Sequence, residues 1–280
     1  MTTNFCTATL ISLALPWAAA NAAQAQSNPT YVPLGPANGA LYKPDSGPAP
    51  HVGLIVMHRT SNFMRSPECI ELSKRGFMVM CINTRFDNNE AQVVFEQLPL
   101  DIKEGMTFLR KQPGITKVVL FGHSGGGPSM GLYQAVAESG VAYCKGSNKI
   151  VQCKDDLADL PKADGVVFAD AHLGNAVLVL RALNPSVQNE DNPPTGNTIA
   201  SLDPFNPANG YNPKGRSVYP AEFQKRYYEA QASRMNRLID SALGKMRKIE
   251  SGAYPYPDND IMIVPRAGPS GSGPGASAYL

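Results

Sequence analysis

A serine flanked by glycines carries the strongest chemical signal in the sequence. The residues Gly122-His123-Ser124-Gly125-Gly126 follow a short apolar run and precede a stretch rich in small residues that is typical of a helix. A G-x-S-x-G nucleophile requires this order of strand, sharp turn and helix. The turn lifts the serine hydroxyl above the sheet at the positive end of the next helix, where the Gly125 N–H faces a developing oxyanion. The pattern therefore predicts that Ser124 is a nucleophile; an ordinary glycine-rich turn is the alternative.

Apolar runs that alternate with helical patterns predict the elements that position this serine. Five short, nearly continuous apolar runs predict strands of a parallel sheet that is buried on both faces. These runs are Val52–Met57, Phe77–Ile82, Lys117–Phe121, Gly165–Ala169 and Ile261–Pro265. Helical patterns between them cover Ser66–Arg75, residues 89–111 and the residues after Gly127. Strand and helix in alternation predict a doubly wound α/β fold.

A segment rich in Asn, Pro and Gly, residues 184–220, interrupts this alternation and has no periodicity. A helix of about 30 residues with one apolar stripe is predicted to follow it. The stripe comprises Phe223, Tyr227, Met235, Leu238, Ile239, Ala242, Met246 and Ile249. Because an insertion between late strands usually folds over the carboxyl edge of the sheet, residues 184–257 are predicted to form a cap or lid. A disordered surface loop followed by an ordinary packing helix is the alternative.

The chain resembles the α/β-hydrolase superfamily of esterases and lipases over about residues 48–267. The segment DIKEGMTFLRKQPGITKVVLFGHSGGG is similar to the helix, loop, strand and elbow that end at the family's serine nucleophile. The segment VGLIVMHRTSN is similar to the strand and oxyanion loop, with His58 at the histidine position and Arg59 in place of the usual glycine. The resemblance implies a mostly parallel sheet of the α/β-hydrolase type with a cap, and an enzyme that uses neither cofactor nor metal.

A catalytic triad in the chain order serine, acid, histidine is also implied by the resemblance. The histidines of the chain are His51, His58, His123 and His172. His123 lies inside the turn, where its side chain is expected to point away from the serine. Only His172 follows Ser124, and it lies two residues after Asp170 at the end of a predicted strand. Either Asp170 and His172 form a compact acid–base pair, or the chain is a fragment that lacks the family's final strand and histidine; the sequence favours the fragment.

Two N–H groups are expected to bind the oxyanion of the implied acyl transfer. One belongs to Gly125, and the other is a backbone N–H at Arg59 or Thr60, in the loop after His58. The Arg59 side chain would steer an anionic substrate or, in the simpler alternative, be solvated. In the implied mechanism a histidine takes the Ser124 proton, the serine attacks an ester carbonyl, and water then releases the acyl group.

The chain is predicted to begin with a signal peptide over residues 1–25. Its apolar run, residues 10–20, is shorter than the roughly 20 residues that a bilayer span needs, and small residues after it offer cleavage sites. A buried N-terminal helix is the alternative. The first part of the hydrolase core would cover residues 26–183, and residues 258–280 would hold a late core strand and a Gly/Ser-rich end. A secreted or periplasmic location follows from this division.

The cysteines agree with export. Removal of Cys6 with the signal peptide leaves four cysteines, which permit two disulfides in three pairings. Cys144 and Cys153 bracket a short polar loop, and Cys69 and Cys81 fall at the same edge of a right-handed strand–helix–strand unit. The pairings 69–81 and 144–153 are therefore favoured over four buried free thiols.

Composition excludes several other classes of function. Lys+Arg 25 and Asp+Glu 23 leave a formal net charge of +2, so no basic field for nucleic acid exists. The hydrophobic content of 43% is too high for a disordered chain. No cysteine or histidine spacing fits zinc, and the turn lacks the G-x-G-x-x-G of dinucleotide sites. Two functions remain: a serine hydrolase that cleaves a small-molecule carboxylic ester, and a catalytically inactive binding protein on the same scaffold.

Overall fold

A computed structural model of the chain describes residues 28–147, 149–191, 198–255 and 262–265. The predicted signal peptide and most of the predicted C-terminal end lie outside these residues. The described part contains one six-stranded sheet and five α-helices. None of these helices combines the length and the hydropathy that a bilayer span requires.

The sheet is mostly parallel. Its strands are β1 (Thr30–Leu34), β2 (Ala37–Tyr42), β3 (Val52–His58), β4 (Met78–Asn83), β5 (Lys117–His123) and β6 (Gly165–Ala169). They lie in the order β1-β2-β4-β3-β5-β6. Strands β3 to β6 are parallel, and the antiparallel strands β1 and β2 extend the sheet beyond β4. The predicted α/β class with a mostly parallel sheet is confirmed.

The helices of the described residues are α1 (Pro67–Lys74), α2 (Leu98–Arg110), α3 (Gly126–Ser139), α4 (Asn175–Ala182) and α5 (Ala221–Glu250). Helix α1 covers one face of the sheet, and α2 and α3 cover the other. Because neighbouring residues of a strand point to opposite faces, Ile55 packs with the buried side chains of α2 and α3, and Val56 packs with those of α1. This arrangement is the double winding that the alternating sequence pattern predicts.

Both favoured disulfides are present. Cys69, near the start of α1, is bonded to Cys81 in β4 with a Cα–Cα distance of 6.2 Å. Cys144 is bonded to Cys153 with a Cα–Cα distance of 5.5 Å. The first bond fastens α1 to the sheet, and the second closes the loop that follows α3.

Two predicted elements differ from the structure. The helix predicted over residues 89–111 begins only at Leu98, because Pro99 is accommodated in a first helical turn and two separate 3₁₀ turns precede it. The predicted late strand Ile261–Pro265 is wrong over its four described residues, which form no strand. Ile263 is 81% exposed, and the Pro265 carbonyl accepts a hydrogen bond from Arg234 of α5 at 2.8 Å, so this run lies against α5 instead of in the sheet.

Strand β6 is less buried than predicted. It is the edge strand of the described sheet, and Phe168 in it is 60% exposed, so the expectation of burial on both faces is wrong for this strand.

The β1–β2 hairpin and α4 have no counterpart among the predictions. Pro33 and Gly39 weaken the strand pattern of the hairpin, and β1 tolerates Pro33 because an edge strand leaves some of its N–H groups unpaired.

Helix α5 has the predicted length, and its buried face carries more polar groups than predicted. Its buried residues are Phe223, Tyr227, Gln231, Arg234 and Leu238. Arg234 donates from Nε and Nη2 to both carboxylate oxygens of Glu190, at 2.7 and 2.6 Å, and from Nη1 to the Asn184 carbonyl at 2.6 Å. Met246, predicted on the buried stripe, is 42% exposed. An ion pair thus fastens α5 to the segment after α4, which apolar periodicity cannot reveal; the cap or lid role stays a prediction.

A second ion pair ties the loop after β4 to α2. Asp101 is fully buried, and its Oδ2 accepts the Arg85 backbone N–H at 2.9 Å. Its Oδ1 accepts two guanidinium donors of Arg85, Nε at 2.9 Å and Nη2 at 2.7 Å. The carboxylate therefore fixes the start of the loop that leads to the candidate site.

We expect Asp101→Asn to lower the free energy of unfolding by about 3 kcal/mol, because an amide cannot accept all three bonds and leaves the Arg85 charge without its partner. Urea denaturation measures this change. The matched control is Glu71→Gln, which removes exposed ion pairs with Lys74 and Arg75 and should leave the midpoint unchanged. Equal midpoint shifts in the two variants would contradict the assignment.

Candidate active site

Ser124 lies in a strained turn between β5 and α3. Its φ angle is +50°, a left-handed conformation that costs a non-glycine residue about 1–2 kcal/mol. The Ser124 N–H donates to the Ala169 carbonyl of β6 at 3.4 Å, and the Gly127 N–H donates to the Ser124 carbonyl at 3.2 Å. The turn is thus held from both sides, and its geometry is that of the predicted nucleophile elbow.

Close backbone approach explains the glycines of this turn. A Cβ atom on Gly122 would lie 2.6 Å from the Gly127 Cα. One on Gly126 would collide with the Met57 carbonyl of β3. Glycine at both positions therefore lets α3 begin directly above the sheet, with the Ser124 side chain at its N-terminus.

The loop after β6 brings Asp170 and His172 to the elbow. Ala171, between them, packs so closely on α3 that a Cβ atom on Gly127 would collide with its side chain. Asp170 is exposed and has a φ angle of +47°. The hydrogen bonds among the described residues include none between Asp170 and His172 and none from Ser124 Oγ to either. The structure thus brings the loop that carries the predicted acid and base to the turn, and no hydrogen bond among the described residues joins the two residues to each other or to Ser124 Oγ.

The surroundings of His172 favour the neutral form of its ring. Partial burial, and then the Arg59 guanidinium, lower the pKa of His172 from its ordinary value. Its Nδ1 accepts the Gly174 N–H at 3.3 Å, and its Nε2 lies 3.4 Å from Arg59 Nη1. A neutral imidazole is the form that a general base requires.

Arg59 is held in place by a carboxylate and is not solvated. Its side chain is 19% exposed, and Glu90 accepts from its Nε at 3.1 Å and lies 2.8 Å from its Nη2. Burial by itself would raise the pKa of Glu90, but hydrogen bonds with Arg59 and Thr60 lower it below its usual range. The remaining nitrogen, Nη1, points to Gly125 and His172, since a Cβ atom on Gly125 would collide with it.

His58 also faces the elbow. Its ring is buried and stacks on Phe63 with a centroid distance of 5.5 Å, and its Nδ1 accepts the N–H groups of Thr60 at 3.3 Å and Ser61 at 3.0 Å. Burial, and then Arg59, lower the pKa of His58. The Thr60 N–H, one of the two expected loop donors for the oxyanion, is therefore already bonded within the loop.

His123 points away from Ser124, as predicted. Its Nδ1 lies 2.8 Å from Glu68 Oε1, without the geometry of a hydrogen bond, and its ring lies 6.3 Å from that of Phe63. Glu68 and Glu90 are the acidic residues of this region that the sequence analysis missed. No local pattern marks them, because each meets its partner through the fold across a wide sequence separation.

No group of three or more His, Cys, Asp or Glu side chains in the described part of the chain is arranged to hold a metal ion.

Comparisons with known proteins find similarity only among solved structures. No protein-family model and no curated protein matches the chain. The structure is similar to brefeldin A esterase, a bacterial homologue of human hormone-sensitive lipase, with 17% identity, a TM-score of 0.36, and coverage of 46% of this chain and 39% of that chain. It is similar to acetyl xylan esterase 1 from Thermoanaerobacterium sp., with 18% identity, a TM-score of 0.30, and coverage of 36% of this chain and 40% of that chain. It is also similar to a dienelactone hydrolase from Anabaena variabilis, with 22% identity, a TM-score of 0.33, and coverage of 41% of this chain and 60% of that chain.

The matched region spans less than two thirds of each of these three proteins. Two features of the chain itself characterise its fold. The first is a mostly parallel α/β sheet with antiparallel strands at one edge, and the second is a strained serine between β5 and α3. With this sheet and this elbow, the chain has an α/β-hydrolase fold.

Proposed function

We propose that this protein is a serine hydrolase that cleaves carboxylic esters of small molecules through an acyl-enzyme on Ser124. The observation that carries the proposal is the left-handed φ angle of +50° at Ser124. A turn that served only to connect β5 and α3 would be more stable with glycine at this position, because glycine adopts this conformation without strain. Backbone strain that is retained at a serine, in a turn approached by His58 and by the loop of His172, is typical of a functional site.

In the proposed reaction, His172 is the general base. It takes the Ser124 hydroxyl proton as Oγ attacks the carbonyl carbon, and it returns this proton to the leaving alcohol. Two donors compete for this ring, because the Gly174 N–H faces Nδ1 at 3.3 Å and Arg59 Nη1, which can only donate, lies 3.4 Å from Nε2. A neutral imidazole accepts at one nitrogen, and in the proposed reaction that nitrogen takes the serine proton. Catalytic hydrogen bonds are often long without substrate and shorten when substrate binds. Asp170, two residues before His172, would stabilise the imidazolium that forms if its carboxylate turns to the ring.

A second candidate function is ligand binding without catalysis. It is favoured by the lack of a hydrogen bond between Asp170 and His172 among the described residues.

We also infer that the protein acts outside the cytoplasm, because the two disulfides suit an oxidising compartment.

Labelling with a fluorophosphonate probe tests the proposed function. The purified protein should form a covalent adduct that peptide mass spectrometry locates on Ser124. Ser124→Ala should form none, and the matched control Ser61→Ala, which changes an exposed serine of the oxyanion loop, should be labelled like the wild type. If the folded wild-type protein forms no adduct, the hydrolase proposal fails and the binding protein takes its place.

The pH dependence of ester hydrolysis should follow the lowered pKa of His172. Because a base acts in its neutral form, activity should persist below the ordinary histidine pKa of about 6.5 and fall only in more acidic buffer. We expect Arg59→Met to shift this loss of kcat/KM to higher pH, since the guanidinium lowers the pKa of His172. A pH profile of kcat/KM for both proteins measures the shift, and a shift to lower pH would contradict the assignment.

A further inference from the structure

His58 has one ring nitrogen bonded to the loop and one directed at the proposed site. Because its Nδ1 accepts the N–H groups of both Thr60 and Ser61, the neutral ring carries its proton on Nε2. The ring is buried and stacks on Phe63 with an angle of 16° between the planes. His58 therefore presents a single N–H donor in a fixed position.

This donor lies beside the residue that follows the nucleophile. A Cβ atom on Gly125 would lie 2.7 Å from His58 Nε2, so the nitrogen is directed at the space next to Gly125. Among the described residues no acceptor receives the Nε2–H. The expected first oxyanion donor, the Gly125 backbone N–H, belongs to the same residue, so the two donors lie close together.

Three backbone N–H groups of the loop after Arg59 are already bonded. The N–H groups of Thr60 and Ser61 are bonded to His58 Nδ1, and the Phe63 N–H donates to Asn83 Oδ1 at 2.7 Å. The loop thus orients the imidazole with the N–H groups that could otherwise face the substrate. The Arg59 guanidinium and the His58 imidazole both lie beside Gly125, the residue of the other expected oxyanion donor.

We propose that His58 is a catalytic residue that binds the oxyanion through Nε2–H together with the Gly125 N–H, an inference that rests on the proposed hydrolase function. As Ser124 Oγ bonds to the carbonyl carbon, the C=O electron pair moves to oxygen, and this oxygen accepts both hydrogen bonds. His58 keeps its proton throughout. A rigid donor aimed at the developing charge stabilises the transition state without reorganisation.

Two amide substitutions separate the two ring nitrogens. In His58→Asn an amide oxygen takes the place of Nδ1 and keeps an acceptor for the loop, while the Nε2 donor is lost. In His58→Gln the amide nitrogen reaches the position of Nε2 and keeps the donor. We expect His58→Asn to lower kcat by a factor on the order of 10²–10³ with little change in KM, and His58→Gln to recover a large part of that loss.

The wild-type adduct gives a measurement that needs no variant. A phosphonate oxygen on Ser124 occupies the place of the oxyanion, so the His58 Nε2 proton should move downfield in the NMR spectrum of histidine-labelled protein when the adduct forms. An adduct without this shift overturns the role of His58. The absence of any Ser124 adduct instead overturns the hydrolase proposal, so the two failures are distinguishable.

Arg59 is the competing donor, because its Nη1 also faces Gly125. If Arg59→Met shows the loss of kcat and His58→Asn turns over at the wild-type rate, the oxyanion donor is Arg59 and the proposal for His58 is wrong. Urea midpoints of all variants establish that the compared proteins are folded.

Discussion

Replacing Ser124 by alanine or by glycine is expected to lower kcat for ester hydrolysis by a factor on the order of 10⁶, because either change removes the nucleophile. The two variants should differ in stability. Glycine relieves the left-handed strain at φ +50°, whereas alanine keeps it. After the larger chain entropy of unfolded glycine is subtracted, Ser124→Gly should be more stable than Ser124→Ala by about 1 kcal/mol.

Initial rates with a chromogenic ester and urea denaturation measure the two effects separately. Gly174→Ala is a control for the stability argument, because Gly174 also has a positive φ angle, +103°, with open space around it, so alanine there should add strain. Equal stabilities of the glycine and alanine variants at position 124 would show that the turn stores no strain. The backbone argument for a functional serine would then lose its support.

The elements around this serine could be predicted from sequence because their signals are local. Strands β3, β4 and β5 are buried apolar runs, and the elbow between β5 and α3 is a contiguous motif. The Cys69–Cys81 disulfide followed from the same topology, since a strand–helix–strand unit brings these two cysteines to one edge. Sequence and structure agree where neighbouring residues determine the conformation.

The side-chain network of the site could not be predicted, because its partners are distant in the sequence. Arg59 binds Glu90, 31 residues away, and approaches His172, 113 residues away. From the sequence, Arg59 at the glycine position of the loop motif was expected to steer a substrate or, more simply, to be solvated, and only the fold supplied the carboxylate that fixes it. The tautomer of His58 likewise depends on the loop conformation that brings two N–H groups to Nδ1.

His172→Ala should cost as much as loss of the serine, a factor on the order of 10⁶ in kcat, if His172 is the general base. His58 is a poor alternative because two loop N–H groups bind its Nδ1 and because its ring is buried and stacked on Phe63, so the ring cannot turn to present a free lone pair. His123 points to Glu68 and is turned away from the serine. The exposed His51, whose Nδ1 lies 3.2 Å from the Gly114 carbonyl, supplies the matched control, and His51→Ala should hydrolyse esters like the wild type.

Chemical rescue distinguishes a base from a residue that only supports the loop after β6. Imidazole added to His172→Ala should restore part of the rate, because a free base can occupy the space that the side chain leaves, whereas a distorted loop would not recover. If His172→Ala keeps the wild-type rate while Ser124→Ala is inactive, another residue is the base. Partial burial and the Arg59 charge would then serve to keep His172 neutral as a substrate contact, and the short Asp170–His172 spacing would have no catalytic meaning.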